Sequence, residues 1–161
     1  MKTVLICGSF DPVTKGHEAL IRRAAALFDR VAVVIFQNSQ KHYLFTPEER
    51  LAFLQKVCAG CGENVTAAAA DGTVAAYTAA HGIHAIVKGL RNANDLLYEQ
   101  EMAALNRLAG APETIFLPTE PGLSYISSGA VREFLTHGLP ADELLPRAVC
   151  ADIVTAYKKK G

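Results

Sequence analysis

The sequence predicts a doubly wound α/β fold: a five-stranded parallel sheet with helices on both faces. Three observations point there. Five short apolar runs, at Val4–Cys7, Val31–Phe36, Asn64–Ala70, Ala85–Gly89 and Thr114–Leu117, are spread along the chain. Segments with helical spacing separate them, and strand, helix and strand in that order close as a parallel pair with a right-handed crossover. No repeat, low-complexity tract or linker-like stretch interrupts the alternation, so residues 1–161 are expected to form a single domain.

The elements follow in order. Val4 to Cys7 is an unbroken apolar run stopped by Gly8, which reads as a strand buried on both faces. Gly8, Pro12 and Gly16 then turn the chain. Ala19, Leu20, Ile21, Ala24, Leu27 and Phe28 repeat at helical spacing, so a helix is expected over Gly16–Phe28. Asp29-Arg30 connects it to the second, fully buried strand. Residues 37–45 are polar, hold Lys41 and His42, and form a loop at that strand's carboxyl end. Thr46-Pro47-Glu48-Glu49 is a helix start, with Thr as N-cap, Pro at the first helical position and Glu49 completing a capping box. This helix runs to about Cys58 and buries Leu51, Leu54 and Val57. The third strand is weakened by its alanines, and the helix Thr73–Ala80 after it ends at Gly82. The fourth strand delivers Lys88 and Arg91. Leu96–Leu108 is an amphipathic helix with Tyr98, Met102, Leu105 and Leu108 as its expected inner stripe. Pro112 and Pro118 bound the fifth strand. A loop over Pro118–Tyr125 leads into a helix from about Ser128 to His137, ended by Gly138. From Leu144 a pair of short helices closes the chain in Lys158-Lys159-Lys160, a cationic end that suits the helix dipole.

Composition excludes several classes. Sixteen basic residues balance sixteen acidic ones, so no global field favours nucleic acid or a membrane surface. No apolar run approaches the roughly 20 residues of a membrane span, and nothing at the N-terminus looks like a signal peptide. A cytoplasmic location is expected. Cys58-Ala-Gly-Cys61 has C-x-x-C spacing, but nothing completes a zinc set and the pair ends a helix instead of opening one, so both are read as reduced structural cysteines.

The unusual polar residues share one address. Ser9 and His17 follow the first strand, Lys41 the second, Lys88 and Arg91 the fourth, and Ser127-Ser128 the fifth. Ligands of doubly wound sheets bind beyond the carboxyl ends of the strands. Taken singly, Lys41 could be a loop cation, and His17 or Ser127-Ser128 a helix cap. Together they are cations, hydroxyls and helix N-termini, a set that suits a ligand with several phosphates. The sequence lacks G-x-S-x-G, G-x4-G-K-[ST] and G-x-G-x-x-G. Transfer of a nucleotidyl group to a phosphate needs no strong base, because the nucleophile is already ionised. Positioning and charge stabilisation suffice, with His17 a candidate donor to the reacting phosphate.

Gly8-Ser-Phe-Asp-Pro and Thr14-Lys-Gly-His17 resemble the signature of nucleotidyltransferases that carry (H/T)-x-G-H after their first strand. The Thr14 form is similar to phosphopantetheine adenylyltransferases. So are Lys41 with Phe45-Thr-Pro-Glu-Glu-Arg50, Lys88-Gly-Leu-Arg91, Asp95 with Tyr98-Glu99, Asn106-Arg107, and Tyr125-Ile-Ser-Ser128 with Val131-Arg-Glu133. The resemblance covers nearly the whole chain. It implies a Rossmann-like nucleotidyltransferase fold and adenylyl transfer from ATP, with Mg²⁺, to 4′-phosphopantetheine, giving dephospho-coenzyme A and pyrophosphate in the penultimate step of coenzyme A synthesis. It also implies a hexamer. By it His17 stabilises the transition state, with Lys41 and Arg91 as catalytic partners. Ser9, Phe10, His17, Gly89, Leu90, Arg91, Glu99 and Leu123, Ser124, Tyr125, Ile126, Ser127, Ser128, Gly129 form the ATP site. Ser9, Lys41, Val74, Lys88, Asn106 and Glu133 contact phosphopantetheine. No residue is assigned to metal.

Four positions depart from the family pattern. Ser9 stands where Thr is common and keeps the hydroxyl. Lys88 replaces the commoner Arg and loses the bidentate fork. Gly129 stands where a third Ser is usual, and Thr73 where an apolar residue is usual. Two other readings remain open at this point: a related nucleotidyltransferase acting on nicotinamide mononucleotide, FMN or a polyol phosphate, and a nucleotide-binding module without turnover.

Overall fold

A computed structural model describes residues 1–37 and 41–161. Its sheet contains five parallel strands, β1 (Thr3–Gly8), β2 (Arg30–Phe36), β3 (Val65–Ala70), β4 (Ala85–Leu90) and β5 (Thr114–Pro118), in the order β3-β2-β1-β4-β5. The helices α1 (Lys15–Leu27), α2 (Pro47–Ala59), α3 (Val74–Ala80) and α4 (Ala93–Leu108) connect them, and α5 (Ser128–Thr136) and α6 (Cys150–Lys158) follow. This is the doubly wound architecture expected from the alternation of apolar runs and helical spacing.

Register explains where a ligand can enter. β1 pairs with β2 along six residues, from Thr3 opposite Arg30 to Gly8 opposite Ile35. Toward β4 it pairs only through Val4 with Ala85 and Leu5 with Ile86. Beyond that point the two strands separate, and it is also where the strand order reverses. A crevice at such a switch point is the usual ligand address of this architecture.

Successive strand residues face opposite sides of the sheet. Val4, Ile6, Val31, Val33, Ile35 and Val87 pack against Ile21 and Ala24 of α1, Phe53, Leu54 and Val57 of α2, Val131 and Leu135 of α5 and Ile153 of α6. The other side is thin: Leu5, Val34 and Ile86 meet Ala75 of α3, Ile83 and Ala111. Side-chain caps start five of the helices, at Thr14, Thr46, Thr73, Asn92 and Ser127.

Three expectations need correction. The helix placed at Leu96 begins at Ala93, because Asn92 accepts from the Asp95 N–H and caps it one turn earlier. No residue of α4 is buried, and of the expected inner stripe Tyr98, Leu105 and Leu108 are 57, 58 and 85% exposed, with Met102 only partly covered. Helical spacing reveals an apolar stripe but not whether a surface lies opposite it, and here the thin side of the sheet supplies none. The expected terminal helix pair is one helix, α6; Leu144, Leu145 and Val149 are buried from turns instead. In α2, Leu54 and Val57 are buried as expected, Leu51 only partly, and Arg50, Phe53 and Cys58 join them. Of the loop expected over residues 37–45, Asn38, Ser39 and Gln40 lie outside the described residues.

Candidate active site

Beyond Gly8 the chain folds into a tight loop. Phe10 adopts φ 47, uncommon for a residue with a side chain, and the Asp11–Pro12 peptide is cis. Phe10 is buried and sets the edge of its ring against the His17 imidazole, with centroids 4.8 Å apart. The loop ends in a capping box. The Thr14 N–H donates to His17 Nδ1 at 3.0 Å, and the His17 N–H donates to Thr14 Oγ1 at 3.3 Å. A backbone N–H can only donate, so Nδ1 is the acceptor and the ring proton sits on Nε2. Burial, followed by the positive charges of Arg91 and Lys88, pulls the imidazole pKa down to about 4. His17 is therefore a neutral donor at physiological pH, oriented by its own helix cap.

The two cations opposite come from the end of β4 and are held by carboxylates of α4. Lys88 Nζ lies 3.4 Å from Glu99 Oε2 and donates to the Cys7 carbonyl at 3.3 Å, bridging the gap between β1 and β4. Burial opposes the Lys88 charge, but the acidic groups of Cys7 and Glu99 outweigh it and hold its pKa above the ordinary lysine value. Arg91 grips Asp95 bidentately, Nε to Oδ2 at 2.9 Å and Nη2 to Oδ1 at 3.1 Å. For Asp95, burial is outweighed by these hydrogen bonds, and its carboxyl titrates below the usual range. Arg91 Nη1 also reaches the Ile126 carbonyl at 3.5 Å, and Ser128 Oγ donates to the Pro12 carbonyl at 2.8 Å, closing the third side.

These groups surround one cavity of about 330 Å³ between the separated ends of β1 and β4. The N-terminal turns of α1 and α5 both open onto it, through Gly16 and His17 and through Ser128. Helix N-termini, two cations and a neutral imidazole donor are a set that suits a ligand with several phosphates.

Of the candidate residues, the cavity brings together Phe10, His17, Lys88, Gly89, Arg91, Glu99, Leu123, Ile126, Ser127 and Ser128. Ser9, Leu90, Ser124, Tyr125 and Gly129 lie next to lining residues in the chain without lining it themselves. Lys41 is exposed on the turn before α2, Val74 opens α3, Asn106 lies in the last turns of α4, and Glu133 on α5 pairs with His137 at 3.0 Å. Ser127 Oγ caps α5 by accepting from the Ala130 N–H, so the plainer reading of that serine is also realised. The sequence reasoning missed Arg23, which lines the cavity and donates to the Pro118 carbonyl. A signal was available: Gly16, Leu20 and Arg23 lie at i, i+4 and i+7 and all line the cavity.

The C-x-x-C cysteines stand apart. All four cysteines are free, and burial, followed by the neighbouring Cys61, pushes the Cys58 thiol up to about 12. Among the described residues no group of three or more His, Cys, Asp or Glu side chains could hold a metal ion, and no helix is long and apolar enough to cross a membrane.

A crevice at the switch point of a 3-2-1-4-5 sheet is a ligand address of doubly wound α/β proteins, and residues 5–134 match the cytidylyltransferase-like family, which places the chain among nucleotidyltransferase-like proteins. A curated relative in Nocardioides sp., named phosphopantetheine adenylyltransferase, is 44% identical over 148 residues, covering 91% of this chain and 92% of the relative. Another of that name in Corynebacterium diphtheriae is 43% identical over 159 residues, covering 98 and 99%. The chain belongs to the phosphopantetheine adenylyltransferase family. Among solved structures, TmcAL from Thermotoga maritima, bound with alpha-thio ATP, superimposes with TM-score 0.73 at 11% identity. The match covers 99% of this chain and 56% of that one, and at such identity it speaks for the fold alone.

Proposed function

We infer that the protein transfers the adenylyl group of ATP to 4′-phosphopantetheine, releasing pyrophosphate and forming dephospho-coenzyme A. A phosphate oxygen of the acceptor attacks the α-phosphorus of ATP as the bond to the bridging oxygen of pyrophosphate breaks. The acceptor phosphate is already ionised, so no base is required. What the transition state needs is charge stabilisation on the α-phosphate oxygens and the departing pyrophosphate. The observation that carries this reading is His17: its Nδ1 is committed to Thr14, which leaves Nε2–H as the donor of a side chain that lines the cavity with Lys88 and Arg91. Of the three carboxylates that line the cavity, Glu99 and Asp95 are engaged by those cations, and the third, Glu120, is exposed to solvent. That suits charge stabilisation better than proton abstraction.

In this reading Arg91 and Lys41 join His17 at the reacting phosphates. Lys88 and Ser9 take the acceptor phosphate, and Val74, Asn106 and Glu133 its pantetheine arm. Phe10, Gly89, Leu90, Glu99 and residues 123–129 form the nucleotide side. Mg²⁺ enters as MgATP; a small, firmly hydrated ion is usually carried by substrate phosphates and does not require a protein cage. The stripe Leu97, Tyr98, Leu105 and Leu108 on α4, 57% or more exposed, supports assembly with further copies, a hexamer by family resemblance. A cytoplasmic location fits substrates of this kind.

The test is pyrophosphate release from MgATP across an acceptor panel. Release with 4′-phosphopantetheine at least about 10²-fold above nicotinamide mononucleotide, FMN or a polyol phosphate is expected. Preference for another acceptor would keep the chemistry and reassign the substrate. ATP binding with no release from any acceptor would leave a nucleotide-binding module.

A further inference from the structure

The buried charged side chains of the described protein are not in the cavity. They are Asp11, 3% exposed, and Arg50, 0% exposed, and both join the loop after β1 to the turn before α2. Asp11 accepts from two successive amides of that turn, Leu44 N–H at 2.8 Å and Phe45 N–H at 2.9 Å. Arg132 Nη1 donates to the Asp11 carbonyl at 2.6 Å and holds the loop from its other side. Arg50 Nη1 donates to the Ser9 carbonyl at 2.8 Å, while the guanidinium carbon lies 4.0 Å over the Tyr43 ring. Its Nε and Nη2 are buried with no hydrogen-bond partner among the described residues.

Stability alone does not account for this arginine. Burying a guanidinium with two of its nitrogens unbonded is costly, and an apolar side chain of similar volume commonly serves a core as well or better. The guanidinium supplies something an apolar chain cannot: one rigid planar group that bonds Ser9 and stacks on Tyr43 at once. With Asp11 it fastens residues 43, 44 and 45 one after another to the segment 9–11. Lys41 is two residues upstream of that fastened turn.

We propose that Arg50, with Asp11, is a positioning residue for the acceptor side of the site: it locks the Lys41–Phe45 segment to the Ser9–Pro12 loop so that Ser9 and Lys41 meet the acceptor phosphate as a unit. The proposal rests on the reading that Ser9 and Lys41 contact that phosphate. Arg50 itself touches neither substrate. Arg50 bonds Ser9 and stacks on Tyr43, whereas the end of β4 and α4 are tied to each other through Lys88 with Glu99 and Arg91 with Asp95.

The experiment compares wild type with Arg50→Met, which keeps bulk and removes the link, and Arg50→Lys, which keeps a donor and loses the planar stack. Kinetics are measured with each substrate varied, alongside hydrogen exchange of the Leu44 and Phe45 amides in the ligand-free protein. Arg50→Met is expected to raise KM for 4′-phosphopantetheine at least roughly tenfold while KM for ATP stays within about threefold. Exchange at 44 and 45 accelerates at least about tenfold, with α4 unchanged. Arg50→Lys falls between and, if the Met variant does not fold, is read by the same criteria. Equal losses for both substrates, or unchanged exchange at 44 and 45, would overturn the proposal. If wild type does not use 4′-phosphopantetheine, the functional reading fails, and the exchange rates alone decide whether Arg50 fastens the turn.

Discussion

The two faces of the sheet do different work. On one, α1, α2, α5 and α6 bury Ile21, Phe53, Leu54, Val131, Leu135 and Ile153 against β1 and β2. On the other, α3 contributes one buried alanine to a small cluster, and α4 buries nothing of its own. Yet α4 supplies Asp95 and Glu99, which aim Arg91 and Lys88 into the cavity. Stability is concentrated on the thick face, while the charges of the site are set by a helix that the rest of the chain scarcely covers. In the proposed reaction these cations exchange partners with incoming phosphates, and such a site gains from a support that is not locked into the core.

The largest test of this contrast is a matched pair of truncations. Leu54→Ala on the thick face should cost about 3 kcal/mol, the usual range for a fully buried leucine. Leu105→Ala on α4 should cost under about 0.5 kcal/mol in dilute protein and show instead as weaker self-association in sedimentation. Comparable losses would erase the distinction. Acid comes next. The folded His17 pKa, about 4, lies below its ordinary value of 6.5, so the unfolded chain takes up a proton that the folded one refuses. The stabilisation is full above about pH 6.5 and is lost as pH falls toward 4, on the order of 2–3 kcal/mol in all. Denaturant melts at pH 7 and pH 5 should show a steeper loss for wild type than for His17→Gln; parallel losses would contradict a neutral His17. Asp95→Asn then separates aim from stability. Freeing Arg91 should lower kcat/KM about tenfold, roughly 1.4 kcal/mol, whereas a partly exposed ion pair of this kind adds at most about 1 kcal/mol to the fold. Gly129→Ser should have the smallest effect. A Cβ there meets Ser127 Oγ at 3.7 Å and Arg132 Nη2 at 3.8 Å, ordinary contacts, so the change should stabilise α5 by a few tenths of a kcal/mol in thermal melts.

Strand positions were legible because each β-run is continuous, and the start of α2 because Thr46, Pro47 and Glu49 each carry a local capping function. The convergence of His17, Lys88 and Arg91 was legible from the rule that parallel strands present their carboxyl ends together. The exposure of α4 was not, because periodicity marks a stripe and tertiary structure decides what covers it. Nor were the links of Asp11 to Leu44 and Phe45 or of Arg50 to Ser9, which join segments more than 30 residues apart through backbone groups that no side-chain pattern records. The capping role of His17 was open in the sequence beside its chemical role. In the structure the cap fixes which nitrogen carries the proton, and so ties the proposed chemical role of His17 to its capping role.

The most direct measurement is acceptor-dependent pyrophosphate release by wild type and His17→Ala, with thermal melts of the same samples. A fall in kcat of at least roughly 10²-fold, about 2.7 kcal/mol of transition-state stabilisation, with a melt lowered by only the roughly 2–4 °C that losing one capping bond costs, is the predicted result. Turnover within a few-fold of wild type would show that the imidazole only caps α1 and that the charge on the reacting phosphate is stabilised elsewhere.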